Sequence, residues 1–386
     1  MQIRIATLNV WGLPAPFTPD GAQRMGAIGR RLGDLGVDVM AFQEVWTADV
    51  RDILVRAGRA AGLDEYWHTE ASLGGSGLLV LSRLPIHDVQ FDRFRLRGQP
   101  ERITQGDYYG GKGFARIRLS TPAGPVTIVN THLHARYGGN VAHEYRGLRA
   151  TQVVELAARI RETPDPIIAA GDFNFQEDQV GYTVLTGLTG FRDSAAEVAN
   201  RQPTVFYGNA YRTNRRKPDR RIDYVFVRNG RDLGVDTYKS MRVFDETIEI
   251  DGQPAAYSNH AGVMAEFSIV PRAAVVPPPD PRAIELATQL IAEGRREAQR
   301  RQRSNRALAG AGVGGAALAL CGLRSKPMTR RKLLRNALQA AGLAAITPGV
   351  AYSILSEYFV PDELAGFEAV AQQLSRFDAE SSALLA

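Results

Sequence analysis

A chain of 386 residues that is 44% hydrophobic and 23% charged has enough apolar material for at least one sizeable core and for more than one structural unit. Its formal charge of +6 is unevenly placed: from Arg282 onward there are 14 Lys plus Arg against 9 Asp plus Glu, whereas the first 281 residues hold 33 basic against 32 acidic. A nearly neutral first part argues against a domain built to grip duplex nucleic acid, where phosphate neutralisation supplies most of the affinity, and the single cysteine, Cys321, excludes an internal disulfide.

The N-terminus "MQIRIATLNV" enters directly into a strand-like alternation and lacks the basic, apolar, small-residue order of a secretory signal, so no N-terminal signal peptide is expected. A helix is predicted over about 20–35 and another over about 142–162, where Val153, Leu156, Ala157 and Ile160 recur at helical spacing. Around them run β-branched segments, "VDVMAFQEV", "GSGLLVLS", "GFARIRLS", "VTIVNTHLHA", "PIIAAGDF", "RIDYVFVR" and "GVMAEFSIV", with "STPAGPV" as a hairpin turn. This order predicts a mixed α/β (α+β) layered domain over 1–270. The proline cluster "PRAAVVPPPDPR" (271–282) reads as a linker, followed by an all-α region over 283–386.

That region holds two uncharged stretches, 307–323 and about 340–356, each preceded by an arginine-rich segment. Seventeen residues reach ~26 Å, short of a hydrocarbon core of roughly 30 Å but sufficient with snorkelling flanks. Membrane association is the expectation, either as a hairpin or with the first stretch at the interface and the second crossing. The second alone, with "TRRKLLR" before it and Glu357, Asp362 and Glu363 after it, obeys the positive-inside rule.

Polar residues collect at strand ends. "ATLNVWG" ends on Asn9, "VMAFQEVW" on Glu44, "VTIVNTHLHA" on His132, and "IIAAGDFNF" on Asp172 and Asn174, while Asp223 interrupts an apolar strand and His260 opens the last one. Each alone is as well explained by a cap, a turn or a satisfied core group. Together, at the strand ends of one domain, they are harder to set aside, and a histidine backed by a carboxylate is a natural pairing. A buried Asp223 needs such a partner in any case.

In their order, "LNVWG", "FQEVW", "GSGLLVLSRLPI", "NTHLHA", "GDFN", "RIDYVFV" and "SNHAGV" resemble the endonuclease/exonuclease/phosphatase superfamily over roughly residues 1–270. "NVWGLP", "GDYYGGKGFARI" and "THLHARY" are similar to its neutral sphingomyelinases. The resemblance implies a four-layer sandwich, two packed β-sheets flanked by helices, with the site where strand ends converge. It implies Glu44, helped by Asn9, as ligand of Mg²⁺ or Mn²⁺, and Asp172 and Asn174 as groups positioning water and phosphoryl oxygens. His132 would contact the scissile phosphate, and His260 would be general base with Asp223 holding its ring; whether Asp172 or His260 takes the proton stays open. Lys112, Tyr108, Tyr109 and Trp46 become headgroup candidates, the aromatics through their π faces, and His134, one alternation beyond His132, a cleft residue. His68, His87 and His143 read as solvated or structural.

Where the superfamily has Ser-Asp-His this chain has "YSNH", so Asn259 replaces a carboxylate and should raise the metal requirement. The implied activity is hydrolysis of sphingomyelin or a lysophospholipid to a lipid alcohol and phosphocholine. It would occur at a membrane reached through the C-terminal helices, with the catalytic domain cytoplasmic and no specific nucleic acid as partner. A nuclease of the same superfamily and a catalytically idle membrane scaffold are the competing readings.

Overall fold

Alternating apolar side chains build two six-stranded sheets whose inner faces meet. The computed structural model describes residues 1–70, 75–137, 145–212, 217–323 and 332–385. In chain order these form β1 (Gln2–Gly12), α1 (Gly21–Leu35), β2 (Val39–Val45), α2 (Ala48–Ala60), β3 (Glu65–His68), β4 (Leu79–Ser82), β5 (Ile86–Arg93) and the short α3 (Asp107–Gly110). Then follow β6 (Gly113–Thr121), β7 (Gly124–His132), α4 (Arg146–Glu162), β8 (Ile167–Asp172), α5 (Val180–Thr189), β9 (Arg192–Asp193), α6 (Ser194–Glu197) and β10 (Asp223–Arg228). The chain continues through β11 (Leu233–Val243), β12 (Ile248–Ile250), β13 (Gln253–Ala255), β14 (Gly262–Pro271), α7 (Pro281–Leu323), α8 (Lys332–Ile354), a π-helical turn, and α9 (Val360–Leu385).

One sheet has the order β11-β14-β1-β2-β4-β3 and the other β5-β6-β7-β8-β10-β9. Between them Ile3, Ile5, Val39, Ala41, Ile117, Ile128, Ile168, Ala170, Val225, Val263 and Phe267 form one buried cluster. Each such side chain contributes about 1.5–3 kcal/mol relative to exposure. The intervening residues of the first sheet, Leu8, Val10, Met40, Phe42 and Leu81, meet Met25, Ile28 and Leu32 of α1 and Leu54 of α2. On the outer side of the second sheet Tyr182 of α5 packs against Tyr224 and Phe226 of β10. Helix, sheet, sheet, helix is the expected four-layer sandwich.

Several elements escaped the sequence pattern. β5 is half exposed and lacks a clean alternation, as suits an edge strand. α2 follows β2 after only Trp46 and Thr47, with the Thr47 hydroxyl accepting from Val50 N at 3.3 Å as its cap. α4 begins at Arg146, and the start of the expected 142–162 helix falls outside the described residues. The linker region ends at Pro281, which opens α7 where a missing N–H costs no hydrogen bond.

The chain forms two compact units, Met1–Thr288 with Gln373–Ala386, and Gln289–Gln372. In the first, Ser381 Oγ donates to Pro279 O at 3.2 Å. In the second, α7 and α8 cross through small residues: a Cβ on Gly312 would lie 2.6 Å from Gly349 Cα. Leu318 and Leu343 point outward, 76% and 69% exposed. Among the described residues one helix, Arg335–Ala379, is long and apolar enough to cross a membrane; the shorter 307–323 stretch does not meet that standard.

Glu155 of α4 is a test of this packing. Its Oε2 accepts from Arg95 N at 3.2 Å while Oε1 is sealed without a donor among the described residues. Burial raises its pKa from the ordinary 4.5 to about 7, against the opposing pull of Arg95. Because the folded value lies above the unfolded one, this carboxyl's contribution is full below pH 4.5 and is lost as pH rises through 7. Glu155→Gln should therefore stabilise the fold at pH 8 by about 1–3 kcal/mol, discounted for solvent access, and change little at pH 4. Thermal unfolding at the two pH values measures it, and an equal shift at both would contradict this account.

Candidate active site

Register places three of the expected residues in one row. Parallel pairing of β7 with β8 sets His132 beside Asp172, and antiparallel pairing of β8 with β10 sets Asp172 beside Asp223. They keep the inward parity of Ile128, Ile168, Ala170 and Val225, so the inter-sheet core simply turns polar at its end. Gly171 permits this: with φ 153° a Cβ there would lie 2.1 Å from Thr131 O. Just behind the row, Gln43 Nε2 donates to Asn130 Oδ1 at 2.7 Å and to Thr7 Oγ1 at 3.0 Å. Asn130 Nδ2 in turn donates to Phe42 O and Leu79 O, which ties the sheets together beneath the site.

Glu44 arrives differently. Strict alternation would send it with Met40 and Phe42 into the helix layer. Its left-handed φ of 62° breaks the alternation, and Val45 takes the helix-facing place instead. Such a backbone costs of order 1–3 kcal/mol and persists where surrounding structure enforces it. Asn9 Nδ2 then donates to Glu44 Oε1 at 2.9 Å and to Asp172 Oδ2 at 3.1 Å. Asn9 Oδ1 accepts from Trp11 N at 3.0 Å, which fixes the amide with its NH₂ toward the two carboxylates.

Two carboxylates held against one neutral amide are a fitting oxygen set for a hard divalent cation. Ligand atoms of Asp172, Asp223 and His260 also converge within 4.8 Å. Asp223 and His260, however, already use theirs on each other. Glu44 with Asp172 is therefore the better pair.

His260 Nδ1 contacts both Asp223 oxygens, at 2.9 and 3.2 Å, leaving Nε2 as the nitrogen available to a reacting group. The Thr204 hydroxyl donates to Asp223 Oδ2 at 2.5 Å. Burial alone would lower the His260 pKa, but Asp223, with Asp172 and Glu44 behind it, lifts it to about 9. Asp172 remains a carboxylate well below the usual range: burial works against ionisation, but His132 and His260 outweigh it. Its Oδ1 accepts from Asn174 N at 3.0 Å. Asn174, at φ 53°, donates its Nδ2 to Leu133 O, and Arg149 Nη1 holds its carbonyl at 2.8 Å.

The expected headgroup residues divide. Lys112 is buried with Nζ 2.8 Å from Asp107 Oδ1 and 2.6 Å from His132 Nε2, so it joins the row at His132. His132 Nδ1 is buried without a partner among the described residues. The aromatic residues form no open cage. Trp46 is packed against Gly77 and Gly110, Tyr108 has the Arg97 guanidinium 5.1 Å over its ring, and Tyr109 donates to Pro100 O. His134 does not line a cleft: it is buried against Tyr145, with ring centroids 4.3 Å apart, and burial lowers its pKa. Asn259 stands in the turn before His260 with its Oδ1 3.3 Å from Ser258 Oγ, whose single proton goes to Asn9 O at 2.6 Å. His143 lies outside the described residues.

Arg24 was missed. Fully buried, it donates to Val10 O, Trp11 O, Pro19 O and Tyr257 O, joining the segment after Asn9 to the one before His260. Its sequence signal is a basic residue on the apolar face of α1, which composition alone renders as solvated.

Comparison with known proteins identifies the family and the fold. The profile described as the endonuclease/exonuclease/phosphatase family matches residues 6–240. A Drosophila melanogaster relative, provisionally named a neutral sphingomyelinase, is 31% identical over 283 residues, covering 70% of this chain and 62% of its own. Sphingomyelin phosphodiesterase 2 of Homo sapiens is 29% identical over 284 residues, 70% of this chain and 65% of its own. The chain thus spans less than two thirds of either relative. An inositol phosphosphingolipids phospholipase C of Schizosaccharomyces pombe is 32% identical over 190 residues, 48% of this chain and 44% of its own. Among solved structures, D. rerio TDP2 complexed with single-strand DNA product superposes with TM-score 0.56 at 18% identity, over 69% of this chain and 99% of that one. A Staphylococcus aureus beta toxin variant with bound magnesium ions gives 0.54 at 16%, over 69% and 99%. At those identities the structures speak for the fold alone.

Proposed function

Because this chain belongs to the endonuclease/exonuclease/phosphatase family, we propose that it is a divalent-metal-dependent phosphodiesterase. It cleaves a sphingomyelin-type lipid into the lipid alcohol and the phosphorylated headgroup. The observation that carries this reading is the His260–Asp223 pair in one row with Asp172 and His132, facing Glu44. A lipid rather than a nucleic acid substrate is supported by the names of the relatives, by the nearly neutral catalytic unit and by the apolar helix Arg335–Ala379.

Glu44 and Asp172 would hold Mg²⁺ or Mn²⁺, which when bound polarises a phosphoryl oxygen and offsets the negative charge that otherwise raises His260. His260 Nε2 takes the proton of the attacking water, while Asp223 fixes the tautomer through Nδ1. Asp172 and Asn174 orient the water, and Lys112 and His132 receive charge building on the phosphoryl oxygens. The helical unit supplies the membrane contact through its apolar helix.

The test is phosphocholine release from sphingomyelin and lysophosphatidylcholine in mixed micelles, with Mg²⁺ or EDTA, alongside plasmid nicking. Mg²⁺-dependent lipid turnover is expected. DNA nicking without lipid turnover would move the chain to the nucleases, and silence in both would reduce it to a scaffold.

A further inference from the structure

Most cations around the row are already engaged. Lys112 holds Asp107 and His132, Arg149 the Asn174 carbonyl, Arg221 both Asp193 and Glu177, and Arg212 Asp219. Arg220 is different. Its backbone is fastened, with N donating to Val205 O and its carbonyl accepting from Thr204 N and Val205 N, all at 2.9 Å. Thr204 is the residue whose hydroxyl reaches Asp223 and whose carbonyl accepts from Ala261 N, next to His260. Arg220 therefore sits on the same small ladder that holds the base and its carboxylate. Its side chain is half-buried, and Nε is sealed from solvent with no acceptor among the described residues.

The charges of Asp172 and Asp223 act on this guanidinium against its burial and against the neighbouring Arg212 and Arg136, yet neither carboxylate forms an ion pair with it. A partly desolvated fork on a fastened backbone, near two carboxylates and bonded to neither, is suited to an oxyanion. We propose that Arg220 contacts a non-bridging oxygen of the substrate's phosphodiester directly, on the His260–Asp223 side of the site. It does so through its two-pronged donor geometry rather than as a diffuse positive charge. The inference rests on the phosphodiesterase reading above and assigns a substrate-binding residue that the sequence motifs do not mark.

The experiment compares Arg220→Ala, Arg220→Lys and Arg136→Ala in the full chain, the last removing an exposed arginine as a control for general charge. Steady-state turnover of sphingomyelin in mixed micelles is read together with calorimetric binding of inorganic phosphate. For Arg220→Ala, kcat/KM should fall about 100-fold and phosphate affinity about tenfold. Arg220→Lys should recover less than a tenth of wild-type kcat/KM, and Arg136→Ala should stay within threefold. The proposal is overturned if Arg220→Ala stays within threefold on both readouts, if lysine restores full activity, or if Arg136→Ala loses as much. Should alanine fail to fold, the lysine variant decides alone. A wild type that is silent toward lipid sinks the phosphodiesterase reading, while phosphate binding by wild type and variants still decides whether Arg220 grips an oxyanion.

Discussion

Asp223→Asn is expected to lower kcat/KM by about 10³–10⁴-fold with little change in thermal stability. Asparagine keeps the shape and can still meet the Thr204 hydroxyl, which donates to Asp223 at 2.5 Å. What it loses is the charge. His260 is raised to about 9 against its own burial chiefly because Asp223 lies 2.9 Å from Nδ1. Without the carboxylate, burial dominates and the imidazole becomes a weaker base that no longer has one tautomer enforced. The sign of the pH effect follows. A general base acts when deprotonated, so kcat/KM climbs with pH to a plateau above the base's pKa. In Asp223→Asn the climb should move to lower pH while the plateau drops. His260→Gln should remove the climb altogether. A variant profile with the wild-type midpoint would show that Asp223 does not govern the titrating group. Retention of the climb in His260→Gln would show that His260 is not the titrating base.

How far the sequence could carry these residues depended on local periodicity. Asn9, His132, Asp172 and Asp223 were legible because each continues the parity of an apolar strand, and parity alone decides that they face the inter-sheet space. Glu44 was named through family resemblance, but its backbone was illegible: nothing in "FQEVW" announces φ 62°, and simple alternation points it the wrong way. His134 failed for the opposite reason. Alternation puts it on the side of His132, but the strand ends at His132, and beyond that point the ring packs on Tyr145. Of the aromatic headgroup candidates, Tyr108 is covered by Arg97 and Trp46 by two glycines, partners that spacing cannot supply, while Tyr109 stays 47% exposed. Arg24 and the Thr7–Gln43–Asn130 layer depend on partners distant in the chain, which spacing cannot supply. The layer architecture needed less, since strand runs separated by amphipathic helices restrict the ways apolar faces can be covered.

Glu44→Gln should weaken Mg²⁺ binding by about 10- to 100-fold in calorimetry and lower kcat/KM at fixed Mg²⁺ by about 10²–10³-fold, part of it recovered by raising the metal concentration. The amide can still accept from Asn9 Nδ2, now 2.9 Å from Oε1, so the brace to Asp172 survives and the loss reports charge rather than collapse. Asn259→Asp should act in the opposite direction. It restores a carboxylate in the turn fastened to Asn9 through Ser258, so less Mg²⁺ should give half-maximal activity. If it leaves both activity and metal dependence unchanged, Asn259 does not explain a raised metal requirement. The two variants also choose between the two places a cation could sit. Were Glu44→Gln to bind Mg²⁺ as tightly as wild type, the cation would belong with the converging Asp172, Asp223 and His260 atoms. His260 would then be a ligand and could not be the base, and the Asp223→Asn pH profile would flatten rather than shift. Weakened binding in Glu44→Gln together with a shifted profile in Asp223→Asn is the combination that only a cation on Glu44 and Asp172, with a proton-accepting His260, produces.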